Sequence, residues 1–536
     1  MASTSIAPDT TTFMDQRQYP LFSTPRELRD HIYEYYTYDE EGLAYDYASR
    51  TLKYADSREL EFAYTCKLVA DEMRGVHLRT NVITFTPSCA QSKEETELGL
   101  RPRAARFEHL LHSTRLTQMA MLHHAIECVT EDDIEKVEQA YPSISSAFWS
   151  SLGAIRNGYE LRNLDSHSRS MSRDLFIASF CDAVQYTLDL VSAHPRFKEL
   201  VSKACELAEP HPWGRPPFKK GSHRQVLAWR PHLWQIPSLD ELSCMEDAYV
   251  DPYYTETSLR RYLISTRELG DGGVRYYFSA TAICIATLDR LPSSVRKQLR
   301  SIVLQEDCRS VGNPEVHAEG LVPYYTETPN MRIHMQTGLH TMLAPTFWTN
   351  ARAESPSPDV VTCGNLHHYI RILIDWLLRT FTLSSHGMPA GSFVATLDIR
   401  SKEAASTWEY LERAAGARVF FPQADSDMVG MNRADAIPGL SQMFGWIGRL
   451  PVGNSSVIVD IKNKTSVIQL DAAADQQPQY DAGPASPHSL WTIWDWLDIY
   501  RPASFIRTVF YPADSNAYFK TYLDDRIRRK LWSEVL

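Results

Sequence analysis

The stretch that most restricts the fold runs from Pro20 to Thr86, because the spacing of its apolar residues changes three times within it. Ser23-Thr24-Pro25-Arg26-Glu27-Leu28 reads as a helix start. Thr24 and Glu27 have the spacing of a capping box, and Pro25 falls at the first helical position, where a missing N–H costs nothing. Leu28, Ile32, Tyr35 and Tyr36 follow at helical spacing and predict one apolar face. A cap is worth about 1 kcal/mol, and burying Leu28 or Ile32 roughly 1.5–3 kcal/mol each. Packing against a partner surface therefore decides whether so short a helix persists.

The period then falls to two. Gly42 to Tyr47, a turn at Ala48-Ser49-Arg50, and Thr51 to Tyr54 predict a hairpin. Phe62, Cys66, Val69, Met73 and Val76 restore a helical stripe that ends near Gly75. Asn81-Val-Ile-Thr-Phe-Thr is a short β run stopped by Pro87.

Three motifs, Pro25-Arg-Glu-Leu-Arg29, Thr65-Cys-Lys67 and Asn81-x-x-x-Phe85, together resemble the F-box-like domain of a large set of filamentous-fungal proteins. The likeness extends to residues 291–307, 317–325 and 387–393. It implies an adaptor-like fold and no particular activity. An F-box is a helical unit that docks on a Skp-type adaptor of a cullin ubiquitin ligase. Here a hairpin separates the first two helices and a strand follows them, which departs from that plan. The resemblance thus implies protein-interaction residues at Pro25, Leu28, Ile32 and Tyr35. The same apolar residues also read as internal packing.

The expected fold class is helix-rich α+β. It consists of an F-box-like module over residues 18–88, a helical insertion with a Pro/Trp-rich segment over 106–250, and an α+β region over 274–536. Residues 1–17 read as disordered and 471–489 as a mobile loop. At 536 residues the chain can bury a large core and form about two to four domains. If the family likeness holds, residues 91–273 interrupt one continuous core.

In the insertion, Phe107 to Val129 is one long helix and Thr130 caps another. Ile177, Cys181, Val184, Leu188 and Val191 stripe a third. Pro210, Pro212, Pro216, Pro217, Pro231 and Pro237, interleaved with Trp213, Trp229 and Trp234, predict an irregular segment pinned to the surface. Further on, a strand signal appears near Arg275, a helix at Ile283–Leu291, and another helix opens at Pro292. Strands are expected at Ser301–Leu304 and Ser392–Leu397. Helices are expected at His367–Phe381, Glu403–Ala415, near Trp491–Tyr500 and over Phe519–Leu531. Ser456–Asp460 and Ser466–Leu470 suggest a hairpin. Pro252-Tyr-Tyr-Thr-Glu-Thr257 recurs at Pro323–Thr328 and suggests matching turns.

The net charge of −11 argues against a nucleic-acid partner. Nine dispersed cysteines without a C-x-x-C pair suit a reducing compartment. Neither a signal peptide nor a membrane-spanning run is recognisable, so a soluble protein of the cytoplasm or nucleus is expected. The sequence has no Gly-rich phosphate loop, G-x-S-x-G or H-E-x-x-H, and no cofactor is expected. The metal-like set His109, His112, His123, His124 and Cys128 reads first as a histidine-rich helix, since nothing in its spacing makes it converge. Glu306 and Asp307, adjacent on a strand, point to opposite faces. Glu315 and His317 could form an acid–imidazole contact. The expectation is a non-enzymatic protein-interaction protein, possible partners being a Skp-type adaptor and a target protein. A structural scaffold and an enzyme built from scattered residues remain the alternatives.

Overall fold

The computed structural model describes residues 20–54, 61–88, 103–141, 178–205, 218–249, 277–307, 310–339, 363–400, 408 and 467–471. Two helices come first, α1 (Pro20–Ser23) and α2 (Arg26–Thr37). The expected capping box is not formed. Because α1 precedes it, Thr24 Oγ1 donates to Leu21 O at 2.6 Å, and Pro25 occupies the cap with extended backbone. The hairpin follows as β1 (Leu43–Asp46) and β2 (Thr51–Tyr54), paired antiparallel as expected.

The single helix expected over Phe62–Val76 is three pieces. A 3₁₀ turn (Glu61–Tyr64) leads to α3 (Lys67–Glu72), and α4 (Val76–Thr80) starts after Gly75. Gly75 adopts φ +76°, a left-handed conformation that ends one helix and redirects the chain into the next. The apolar stripe is real all the same. Val69, Met73 and Val76 are buried with Tyr33 of α2, and Phe62 and Cys66 pack on them. This small core is separate from the main one. Asn81 then leads into β3 (Val82–Phe85).

The insertion contributes α5 (Arg103–His124), α6 (Glu131–Ala140), α7 (Ala178–Val191), α8 (Phe197–Ser202), α9 (His223–Ala228) and α10 (Leu239–Glu246). Thr130 caps α6 with Asp133 in a capping box. α5 runs through the middle and touches α7, α8, α9 and α10. The Pro/Trp-rich segment is less irregular than its composition suggests, since α9 fits between its prolines. Trp229 and Trp234 lie half-buried against the main core, while Trp213 falls outside the described residues.

α11 (Ala280–Arg290) and α12 (Ser293–Arg296) precede β4 (Ser301–Glu306). A 3₁₀ segment (Pro314–Leu321), α13 (Val322–Glu327), β5 (Arg332–Gly338), α14 (Cys363–Thr382), β6 (Phe393–Asp398) and β7 (Ile468–Asp471) complete the described chain. Of the strand signal near Arg275, the described residues begin at 277 and hold one isolated bridge, Phe278 to Ser88. The second Pro-Tyr-Tyr-Thr-Glu-Thr copy is helical, in α13, rather than a turn. The first copy lies outside the described residues. The Ser466–Leu470 run pairs with β6 in parallel, and Ser456–Asp460, its expected hairpin partner, is not among the described residues. Of the expected helices after residue 402, Trp408 alone is among the described residues, helical and buried, and the terminal residues 1–17 and 472–489 of the expected loop lie outside them.

These elements form a helix-rich α+β fold around one seven-stranded mixed sheet, in the order β2-β1-β3-β4-β5-β6-β7. Only the β1–β2 pair is antiparallel. β3, before the insertion, pairs with β4, after it, through Val82↔Ser301 to Phe85↔Leu304. From β3 onward each parallel strand joins the same edge in chain order. A right-handed crossover puts a connection of this kind on one face of the sheet. α11 accordingly packs on β3 and β4. Ile83, Phe85, Ile302, Leu304, Ile333, Met335, Phe393, Ala395 and Leu397 are buried on that side. The opposite side carries Thr84, Val303, His334 and Val394 in one row and Gln305, Gln336, Thr396 and Gln469 in the next. None of these eight is buried.

Insertion and sheet share the main core. Arg115 Nη1 donates to Asn313 Oδ1 at 2.6 Å, and Gly312 N donates to Glu108 Oε2 at 3.0 Å. Trp234 lies so close to Gly320 that a Cβ there would sit 2.3 Å from Trp234 Cδ1. Gly320→Ala is expected to push the rigid indole out of place and to destabilise the protein by about 1–3 kcal/mol. A urea titration followed by tryptophan fluorescence checks this, and an unchanged midpoint would refute the packing argument.

Candidate protein-docking surface

The sequence predicts that Leu28, Ile32 and Tyr35 pack on something, and the structure leaves all three in solvent. They are 53%, 44% and 88% exposed, and Pro25 is exposed at the head of the same helix. Residues at i, i+4 and i+7 of α2 thus form an exposed apolar ridge. Reading these three as internal packing is corrected here, and the physical reason lies on the other side of the helix. There α2 buries Tyr33 and Thr37 and holds Arg29 against α3.

That buried side is held by charge. Arg29 grips Glu72 with two hydrogen bonds, Nε to Oε2 at 2.9 Å and Nη2 to Oε1 at 2.6 Å. Tyr33 OH donates to Glu72 Oε2 at 2.7 Å, and Arg26 Nη1 lies 2.8 Å from Oε1. The forked Arg29 contact, followed by the Tyr33 and Arg26 contacts, holds the Glu72 carboxyl down at about 2 despite its burial. Burial pushes the Tyr33 phenol up to about 12, so it stays a donor at neutral pH. At the other end of α2, Asn81 Nδ2 donates to Thr37 O at 2.7 Å and to His77 O at 2.9 Å, and Asn81 Oδ1 accepts from Asp39 N at 2.7 Å. Arg29 and Asn81, both in the quoted motifs, therefore fix the attitude of the helix. Glu72, which sequence reasoning passed over, is the group they organise around. Asp71 stands beside it and Glu61 opens the same segment, so nothing in the sequence singles it out.

A second polar centre lies at the end of β4. The expected Glu315–His317 contact is not made. His317 Nδ1 instead accepts from Ser279 Oγ at 2.6 Å, and its Nε2 donates to Gly312 O at 2.9 Å. Glu315 Oε1 accepts from Asn313 Nδ2 at 2.6 Å. Burial holds His317 down at about 4, so the ring is neutral and acts as a linker. Ser279 Oγ accepts from Ala282 N at 2.9 Å, which makes it the cap of α11. Glu306 also closes that helix start, accepting from Thr281 N at 2.9 Å and Thr281 Oγ1 at 2.7 Å. Ser279 and His317 are 0% and 1% exposed, so this serine–imidazole pair faces protein on all sides.

In the histidine-rich helix, His109 lies against Tyr249 with ring centres 5.8 Å apart, and Cys128 Sγ meets His194 Nδ1 at 3.2 Å. Among the described residues no group of three or more His, Cys, Asp or Glu is placed to hold a metal ion. No helix among them is long and apolar enough to cross a membrane. In α14, Asp375 and Arg379 make an i, i+4 pair at 3.3 Å, and Arg379 also reaches Asp182 at 2.7 Å and Glu319 at 2.8 Å. Compared with family models, with curated proteins and with solved structures, the chain matches none.

Proposed function

We propose that this chain is a non-enzymatic protein-interaction protein, working in the cytoplasm or nucleus as an F-box-type receptor of a cullin ubiquitin ligase. In this reading the Leu28–Ile32–Tyr35 ridge docks on a Skp-type adaptor, and the remainder of the chain selects a target protein for ubiquitylation. The carrying observation is the exposure of Leu28 and Ile32 on a helix whose opposite side is locked by Glu72 and Asn81. An amphipathic helix presented in this way suits an apolar groove, with anchors at i, i+4 and i+7. Holding the helix rigid before binding reduces the ordering cost of association. A purely structural scaffold gives no reason for such a ridge to face water.

Binding of purified full-length protein to a purified Skp-type adaptor, followed by calorimetry, tests the reading. The wild type is expected to bind. Leu28→Asp with Ile32→Asp is expected to lower affinity at least about 100-fold, because the charges would be buried unpaired. Its thermal unfolding should match the wild type, since both positions are exposed. Absence of wild-type binding, or equal binding by the double variant, would refute the proposal.

A further inference from the structure

We infer that Thr24 is a phosphorylation site through which a proline-directed protein kinase switches the α2 ridge off, an inference that rests on the receptor reading above. Thr24 stands directly before Pro25, and a hydroxyl residue followed by proline is what such a kinase accepts. Pro25 is exposed and extended, with φ −53° and ψ 149°, the backbone form that a substrate segment takes in a kinase cleft. Thr24 itself is half-buried, and its hydroxyl donates to Leu21 O at 2.6 Å. That bond closes α1, a four-residue helix in which no residue is buried, although Leu21 and Phe22 rest against the small core. Releasing so short a helix to free one hydroxyl is a local opening of low cost. Among the described residues Thr86 and Thr328 also precede a proline. Thr328 is buried with its hydroxyl on Tyr324 O, and of the three only Thr24 accepts a hydrogen bond from an arginine, through its carbonyl.

Two arginines are placed to receive the phosphate. Arg29 Nη1 donates to Thr24 O at 2.7 Å. Arg26 follows close by, its side chain 44% exposed and shared between Asp30 and Glu72. The kinase would move the γ-phosphoryl group of ATP onto Thr24 Oγ1. A P–O bond forms there as the bond to the bridging oxygen of the β-phosphate breaks, ADP leaves, and the hydroxyl proton passes to the kinase's base. The product carries a charge of about −1.5 to −2 and three acceptor oxygens, which compete with Glu72 for both guanidinium groups. Docking then suffers in two ways. The contacts to Glu72 that hold α2 in place are weakened from the outer end of the helix. A dianion also stands next to Pro25 and one helical turn before Leu28, at the head of the ridge. An apolar groove that takes the ridge would have to strip water from that charge, which disfavours the complex. The unmodified chain docks and the phosphorylated chain does not.

The test incubates purified full-length protein with a purified proline-directed kinase and ATP. The modified residues are mapped by mass spectrometry, and calorimetry measures binding to a purified Skp-type adaptor before and after. Phosphate on Thr24 and an affinity lowered at least about 30-fold are expected, with full recovery after phosphatase treatment. Thr24→Val keeps the branched shape and takes no phosphate, so its affinity should be the same before and after the kinase. A treated protein without phosphate on Thr24 overturns the inference and leaves the receptor reading standing. So does phosphate on Thr24 with unchanged affinity. An equal loss of affinity in treated Thr24→Val assigns the switch to another residue and overturns the inference as well. Should the valine variant fail to fold, the phosphatase reversal on the wild type, tracked against occupancy of Thr24, decides the matter, and loss of affinity that does not follow that occupancy refutes it. Failure of the untreated wild type to bind the adaptor takes down both the inference and the reading it rests on.

Discussion

Glu72→Ala is expected to unlock α2 and to cost about 3–5 kcal/mol, the loss typical of removing one partner from a buried ion pair. Glu72 is the common acceptor for Arg29, Arg26 and Tyr33, and its side chain is only 5% exposed. Without it, Arg26 can turn to water, but Arg29 keeps a buried charge and Tyr33 a buried hydroxyl. The damage should be local, because the small core of Tyr33, Val69, Met73 and Val76 is separate from the main one. Hydrogen exchange is the decisive measurement. Amides of residues 26–37 should lose protection while those of β4 and β5 keep theirs. Uniform loss of protection, or none, would contradict the role given to Glu72. The pH dependence has a definite sign. A carboxyl held at about 2 instead of its ordinary 4.5 contributes stability that is fully present above pH 4.5. That stability disappears as pH falls toward 2 and amounts to about 3 kcal/mol.

The second large effect falls at higher pH. Between pH 6.5 and 4 the protein is expected to lose about 3 kcal/mol of stability through His317 alone, as the buried neutral ring is forced to take up a proton. Its ordinary value is 6.5 and its folded value about 4, so the stability is complete above pH 6.5 and is lost as pH falls through 4. A proton on Nδ1 would also face Ser279 Oγ, which already accepts from Ala282 N. Burial likewise holds His112 and His123 at about 4, so all three act in the same window. Urea midpoints measured from pH 7.5 to 4.5 should fall steeply. His317→Gln should start from a lower midpoint at pH 7.5 and show a shallower fall. Equal slopes for the two proteins would remove His317 from the explanation.

Local signals in the sequence were reliable where structure is local. The β1–β2 hairpin, β3, β4, β6 and the Thr130 cap could be read from alternation, turn residues and spacing. The stripe from Phe62 to Val76 was correctly read as one buried surface but wrongly as one helix, because periodicity records which side chains share a side and is insensitive to a break at Gly75. The Thr24–Glu27 spacing matched a capping box, but a preceding turn of helix had already taken the threonine hydroxyl. The direction of α2 was the main thing hidden. Apolar Leu28, Ile32 and Tyr35 look like the inner face, and Arg29 looks like the outer one. What reverses them is Glu72, which lies in another helix 43 residues away. No one-dimensional pattern announces such a contact. Position 72 carries just one acid among several in that segment.

The pairing of β3 with β4 across the insertion has a consequence for biosynthesis. β3 leaves the ribosome about 200 residues before the strand that covers its free edge. At translation rates of roughly 5–20 residues per second, that edge stays unpaired for about 10–40 s. During this interval Val82–Phe85 is an apolar template open to any other nascent chain. The helical insertion, whose long α5 gathers its own neighbours, can form during the wait. The last step of maturation is then the closing of the sheet behind it, a slow long-range event at which chaperone assistance would have its greatest effect.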